Sequence, residues 1–337
     1  MIDLKTTYAG LQLKNPIIVG ASTLSGNADN LKLIEDSGAA AIVYKSLFEE
    51  QIQLEKLEFD EDIKEYEERN AEMVSLFPEL THAGPKEHLI NLRLTKEKVS
   101  IPVIASLNCI FSETWVEYAK LIEETGVDAI ELNLFSVPRD PKIDSKTIIN
   151  NQLEIIKLVK KAVNIPVTIK LSPFYSNPLN VVSLLDAEHI NGVVLFNRFL
   201  QPNIDVDSET FTNHFSPSTQ DENLLPMRYA GLLYGNVNTS ICCNSGIYDG
   251  KDVVKMILAG ADAVQIVSTL YKNKIAHIEV ILNEITKWME LKHYSNIEDF
   301  KGLLSNKNIK NPFVYKRAQY VDILLKTSEV FKKFPLH

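Results

Sequence analysis

The 337-residue chain is 45% hydrophobic and 23% charged, with a formal net charge of −9. Such a composition can bury a substantial core in a soluble globular protein, and without a long basic run it offers nucleic acid no electrostatic footprint. The cysteines, Cys109, Cys242 and Cys243, lack the spacing of a disulfide framework or a zinc centre, so no metal is expected. The opening stretch MIDLKTTYAG has no apolar signal core, and no run of about 18 apolar residues marks a membrane helix. A reducing cytoplasm is the expected compartment.

In chain order, strand-like apolar runs fall at 16–22, 41–46, 102–108, 129–134, 166–172, 192–197, 239–245 and 263–268. Helical patterns lie between several of them, as in ADNLKLIED, WVEYAKLIEE, LNVVSLLDAEH and DVVKMIL. A rhythm recurs at 37–46, 125–134, 190–199 and 259–268: a Gly, then small or apolar residues, then a β-branched run with polar residues after it. Gly closing a helix before a short apolar run is an αβ junction. Alternating helices and apolar strands predict a parallel sheet covered by helices, and eight such units fit a (β/α)₈ barrel. A doubly wound open sheet is the alternative, disfavoured because no G-x-G-x-x-G follows the first strand.

The remainder decorates this barrel. The Glu- and Lys-rich stretch 49–98 reads as one helix plus an excursion after strand 2, and 199–237 as a loop-rich insertion after strand 6 that could hold a hairpin. Residues 274–337 read as mainly helical. No linker or second core is visible, so 1–337 is expected to be one domain, with a barrel core of about 16–285 and a helical extension of about 286–337.

Chemistry in such barrels sits at the carboxyl ends of the strands. Those positions hold Ala21 and Ser22, Lys45 and Ser46, Asn108, Asn133 and Ser136, Lys170, Asn197, Ser245 and Gly246, and Ser268 and Thr269. Two lysines and three asparagines would converge on one face, and Glu131, two residues deeper than Asn133, could pair with a lysine. NSGIYDG after strand 7 and VST after strand 8 occupy the usual phosphate position of this fold, where backbone N–H groups and small hydroxyls receive an anion. From these residues alone, a sugar-phosphate isomerase or synthase without a flavin stays open beside a redox enzyme.

The motifs YAGLQLKNPIIVGAST, YKS, IPVIASLNC, GVDAIELNL, IPVTIKLSP, LFNR, CCNSGIYDG and GADAVQIVSTLY, in this order over residues 4 to about 273, resemble the dihydroorotate dehydrogenase family. They are also similar to the FMN-and-pyrimidine domain of dihydropyrimidine dehydrogenase. The resemblance implies FMN at the barrel mouth and oxidation of a CH–CH bond, dihydroorotate to orotate. Ala21 and Ser22 would lie against the flavin, Lys45 between flavin and substrate, and Lys170 and Asn133 on the isoalloxazine. Asn197 would bridge to substrate, Asn108 would be a further flavin contact, and Ser245, Gly246, Ser268 and Thr269 would hold the phosphate. Lys45, Asn133 and Asn197 would bind the pyrimidine-like substrate.

Three departures stand out. The family's N-L-S-C-P-N loop is here NLFSVPRD, which leaves Ser136 as the hydroxyl expected to act as catalytic base, together with Lys45 at the reacting centre. The family's substrate loop is only faintly echoed, by Asn70 and Met73, so Arg139 or Arg198 could bind an acidic group instead. No iron–sulfur cysteine set is encoded, so a separate electron acceptor is required. A homodimer is the family's expectation. Reduction of another pyrimidine or of an enoate by the same flavin, or a flavoprotein that has lost catalysis, are the remaining alternatives.

Overall fold

The structure, a computed structural model, describes residues 2–53, 84–134, 140–199, 201–212, 216–310, 312–316 and 321. It begins with a hairpin in which β1 (Thr6–Tyr8) pairs antiparallel with β2 (Leu11–Leu13). The two turn residues, Ala9 and Gly10, have φ of 52° and 83°. Two positive φ angles in a two-residue loop match the right-handed twist of the flanking strands.

The chain then alternates strand and helix. β3 (Ile17–Val19) leads to α1 (Ala28–Asp36), and β4 (Ala41–Val43) is followed by a two-residue strand, β5 (Leu47–Phe48). Next come α2 (Pro85–Lys98), β6 (Val103–Asn108), α3 (Ser112–Glu123), β7 (Ala129–Asn133) and α4 (Ser145–Ala162). β8 (Val167–Leu171), α5 (Pro178–Ala187) and β9 (Gly192–Leu195) follow. After the insertion come β12 (Ser240–Asn244), α7 (Gly250–Ala259), β13 (Ala263–Ile266), the short α8 (Ser268–Asn273) and α9 (His277–Lys292).

Eight of these strands pair in parallel around a closed ring, β3-β4-β6-β7-β8-β9-β12-β13 and back to β3, with β5 beside the end of β6. This is the (β/α)₈ barrel the strand count predicts, and each strand falls within a sequence-assigned run. Closure removes every edge, so the strands can be apolar on both faces. Ile17, Val19 and Ile42 belong to the core packed under the helices, whereas Ile18, Val43, Ile104 and Val194 belong to a second core inside the barrel.

The base of the interior is sealed by the hairpin. Tyr8 and Leu13 pack with Ala41, Ala129 and Ala263, whose small side chains leave room for them. Gly192 has the same purpose: a Cβ there would lie 3.0 Å from Cε2 of the Tyr8 ring.

The insertion after β9 holds a second hairpin, β10 (Asn203–Asp205) with β11 (Thr210–Thr212), and the helix α6 (Leu224–Leu233). The loop-rich reading of 199–237 misses α6 because LLPMRYAGLL carries Pro226 and Gly231. Pro226 stands in the first turn, where its missing N–H costs the helix no internal bond. Beyond α9 the chain turns at His293 (φ 61°) and runs through turns and a 3₁₀ turn at Ile297–Asp299. Lys301 fastens this part to the barrel base through Asp262 at 3.1 Å. Among the described residues no helix is long and apolar enough to cross a membrane.

Candidate active site

The strand registers set the site. Asn133 on β7 lies opposite Lys170 on β8, and Ser106 on β6 lies opposite Glu131 on β7. Side chains alternate along a strand, so Glu131 and Asn133 share the inward face, as do Thr168 and Lys170. The lowest inward positions are mostly apolar, and those above them carry amides, hydroxyls, a carboxylate and ammonium groups. They surround a cavity of about 550 Å³ at the carboxyl end of the barrel, a size in the range of small-molecule and cofactor sites.

Ala21, Ser22, Lys45, Asn108, Asn133, Lys170, Asn197, Ser245, Gly246 and Ser268 all line this cavity. Thr269 does not. It is fully buried, and its hydroxyl donates to the Tyr248 carbonyl at 3.0 Å. The chain has already entered α8 by then, and the helical turn carries Thr269 away from the mouth while Ser268 still faces it. Ser136 and Arg139, with Asn70 and Met73, lie outside the described residues.

Two hydrogen-bonded groups order the floor. Asn197 Nδ2 donates to Asn133 Oδ1 at 3.0 Å, which joins β9 to β7 across the cavity. Lys170 Nζ donates to Gln265 Oε1 at 3.1 Å, and Gln265 Nε2 donates to Glu131 Oε2 at 2.5 Å. The other Glu131 oxygen lies 3.6 Å from Lys170 Nζ. Glu131 is 1% exposed and Lys170 8%, so this is a buried charge pair bridged by an amide. On the wall, the Ser46 and Ser106 hydroxyls are 2.7 Å apart.

At the strand-7 end, Ser245 and Gly246 both have positive φ, 75° and 69°. Glycine is required at the second position, since a Cβ there would fall 2.5 Å from the Asn223 amide nitrogen. Ser218, from the insertion, bridges this turn to strand 8. Its hydroxyl accepts from Gly246 N–H at 3.1 Å and donates to Ser268 Oγ at 2.9 Å. Below, Asp252 is fully buried and accepts from Asn223 Nδ2 and from the Tyr248 amide.

Arg198 lines the cavity but is committed. Its Nε donates to Glu222 at 2.8 Å, and its other nitrogens bond Ser216. That fixes the insertion loop over the strand-6 end and leaves the guanidinium poorly placed to take an acidic ligand. No described cysteine lines the cavity. Burial and the nearby Glu49 and Glu50 carboxylates push the Cys109 thiol well up, so it is no base at neutral pH.

Several lining residues escape strand-end reading. Gln265 stands one residue before the end of β13 and Asn244 ends β12, each ahead of the strand end that the sequence suggests, and Ser218 and Tyr271 come from elsewhere. Gln265 carries the same signal as Glu131, a polar residue within an otherwise apolar run (AVQI beside AIELN). Tyr271, on α8, closes one rim through a 2.6 Å bond with Thr23 Oγ1 of the loop after β3, a contact that sequence spacing does not reveal.

Comparison with known proteins follows the same lines. Residues 80–289 match the family described as dihydroorotate dehydrogenase. Relatives named dihydroorotate dehydrogenase B (NAD(+)), catalytic subunit, are similar over nearly the whole chain. The Thermoplasma volcanium protein is 29% identical, over 90% of this chain and 99% of its own. The Thermoplasma acidophilum protein is 28% identical over 90% and 99%. That of Methanocaldococcus jannaschii is 26% identical over 89% and 97%. With the barrel, the mouth cavity and a family match over more than half its length, this chain belongs to the dihydroorotate dehydrogenase family.

Proposed function

We propose that the protein is an FMN-dependent oxidoreductase that converts dihydroorotate to orotate and passes the electrons to a separate partner subunit. The observation that carries this is the buried ammonium of Lys170 on the cavity floor, beside the Asn133–Asn197 amide pair. The residues fit the cofactor. Ser22 Oγ is buried on the cavity wall with no hydrogen-bond partner among the described residues, as expected of a group that meets a ligand. Gly246 N–H, Ser218 and Ser268 gather at the strand-7 and strand-8 ends, where small hydroxyls and amides suit a phosphate.

Bound FMN supplies a two-electron acceptor beside the substrate. Lys170 would hold a fixed positive charge against the bound group, where it would favour negative charge that develops on reduction. Asn133 and Asn197 each present a donor and an acceptor, which matches the alternating N–H and C=O groups of a pyrimidine. Lys45 adds a second ammonium at the rim, complementary to an anionic substrate. Ser136 is the proposed base for the acidic proton next to the carbonyl, and a serine in that role needs a proton relay.

Anaerobic mixing of the FMN-loaded protein with dihydroorotate tests the reading. Flavin absorbance near about 450 nm should bleach. A protein that rejects FMN, or holds it without bleaching, counts against it. The homodimer is likewise a proposal, checked by molar mass in solution.

A further inference from the structure

Beneath Lys170 lies Glu131, which is buried and does not line the cavity. We propose that Glu131 is a positioning residue that, through the Gln265 amide, fixes the Lys170 ammonium at the cavity floor and thereby sets the electron affinity of the flavin. The inference rests on the FMN reading above and deepens it.

The argument starts from what each group can do. An ionised carboxylate only accepts hydrogen bonds, whereas a glutamine amide donates at one end and accepts at the other. Glu131 Oε2 therefore requires the NH₂ end of Gln265, and the contact is 2.5 Å. With that end committed, Gln265 must present its oxygen to Lys170, at 3.1 Å. The carboxylate thus dictates the amide's orientation, and the amide dictates where the ammonium rests. The second Glu131 oxygen accepts no hydrogen bond among the described residues and lies 3.6 Å from Nζ, so it acts on Lys170 through charge alone.

That distance is informative. A direct contact would draw the ammonium down onto Glu131, away from the cavity. Gln265 holds it off, so a positive charge with a partial counter-charge faces the ligand. Glu131 is buried on a barrel strand and does not line the cavity, whereas Lys170 and Gln265 do. The strands fix all three: Glu131 on β7, Lys170 on β8 and Gln265 on β13, which approach across the barrel interior.

Two substitutions push the ammonium's influence in opposite directions. Glu131→Gln removes the counter-charge, so reduced, anionic flavin gains more from Lys170. Gln265→Leu keeps both charges but removes the spacer, so the ammonium collapses toward Glu131 and the flavin gains less. The readout is the ratio of affinities for reduced and oxidised FMN, obtained from the difference between the midpoint potentials of bound and free FMN. That ratio should rise roughly tenfold in Glu131→Gln, the scale of one charge several ångströms away at an intermediate dielectric, and fall by a smaller factor, roughly twofold, in Gln265→Leu, where a charge moves but none is lost. A merely structural role would weaken both states alike and leave the ratio unchanged.

Shifts of opposite sign support the proposal, and unchanged ratios or shifts of one sign overturn it. If Glu131→Gln does not fold, Gln265→Leu decides alone: a fall in the ratio supports, and no change overturns. Wild-type protein that binds no FMN would instead remove the cofactor reading itself, an outcome distinct from FMN-loaded variants with an unmoved ratio.

Discussion

The two ends of the barrel interior are built from the same strands and differ in almost every side chain. At the base, Tyr8 and Leu13 of the hairpin fill a space lined by Ala41, Ala129, Ala263 and Gly192. At the mouth, Lys45, Asn133, Lys170, Asn197 and Gln265 surround a cavity. Two to five residues along a strand separate the regimes. The base gains stability by excluding water from apolar surface; the mouth gives up that gain to hold polar groups ready for a ligand. Mutations at the two ends should therefore separate stability from chemistry.

Tyr8→Ala should produce the largest change. Its ring is completely buried, and truncation leaves a hole that Ala41 and Ala129 cannot fill, at a cost of about 3–5 kcal/mol by denaturant unfolding. FMN retained by the surviving folded fraction should keep the wild-type midpoint potential. A potential that moves with the base would break the contrast. Next is Lys170→Gln, which removes the ammonium and should slow flavin reduction by dihydroorotate by about 10²–10³-fold, about 3–4 kcal/mol. Rapid-mixing absorbance measures it, and an unchanged rate would detach the mouth from the chemistry.

The contrast also explains how much could be read in advance. The barrel was legible because eight apolar runs between helical patterns admit few topologies. Lys45, Asn133, Lys170 and Asn197 were legible because a polar residue ending an apolar strand has few reasons to be there. Gln265 and Asn244 carry the same signal a step further back and are overlooked when only final residues are read. Ser218 and Tyr271 reach the cavity from an insertion and a helix, where only tertiary folding shows the approach. Thr269 illustrates the opposite error: its neighbour Ser268 faces the mouth, but one residue of helical rotation turns Thr269 into the core. The helix α6 was hidden by Pro226, whose place in the first turn is visible only once the helix start is known.

A pH prediction probes the outer shell of the mouth. His88 on α2 is buried edge-on against Tyr44, and its Nε2 has no hydrogen-bond partner among the described residues. Burial first, and then the charge of Lys45, lower its pKa from 6.5 to about 4. The folded state therefore keeps the ring neutral where the unfolded chain binds a proton. Stability should be unaffected by this group above about pH 6.5 and fall as pH drops toward about 4, by about 3 kcal/mol in all. Below that the slope from this residue ends, because both states are protonated. His88→Phe should flatten that part of the profile, and an unaltered acid slope in the variant would assign the loss to other groups.

The smallest effect separates binding from catalysis within the mouth. Asn197→Ala removes the 3.0 Å bond to Asn133 and one donor–acceptor pair from the cavity, while Lys170, Gln265 and Glu131 keep their arrangement. A neutral hydrogen-bonding group of this kind contributes about 1–2 kcal/mol to a bound polar ligand. The Michaelis constant for dihydroorotate should therefore rise roughly tenfold, with the flavin's midpoint potential unmoved, because no charge has changed near the ring. Asn197→Asp sharpens the point. It keeps the size and the acceptor but places a negative charge beside an anionic substrate, so it should weaken binding further than alanine does. If the aspartate variant instead binds as well as wild type, the substrate's anionic group lies elsewhere, and Lys45 becomes the position to vary.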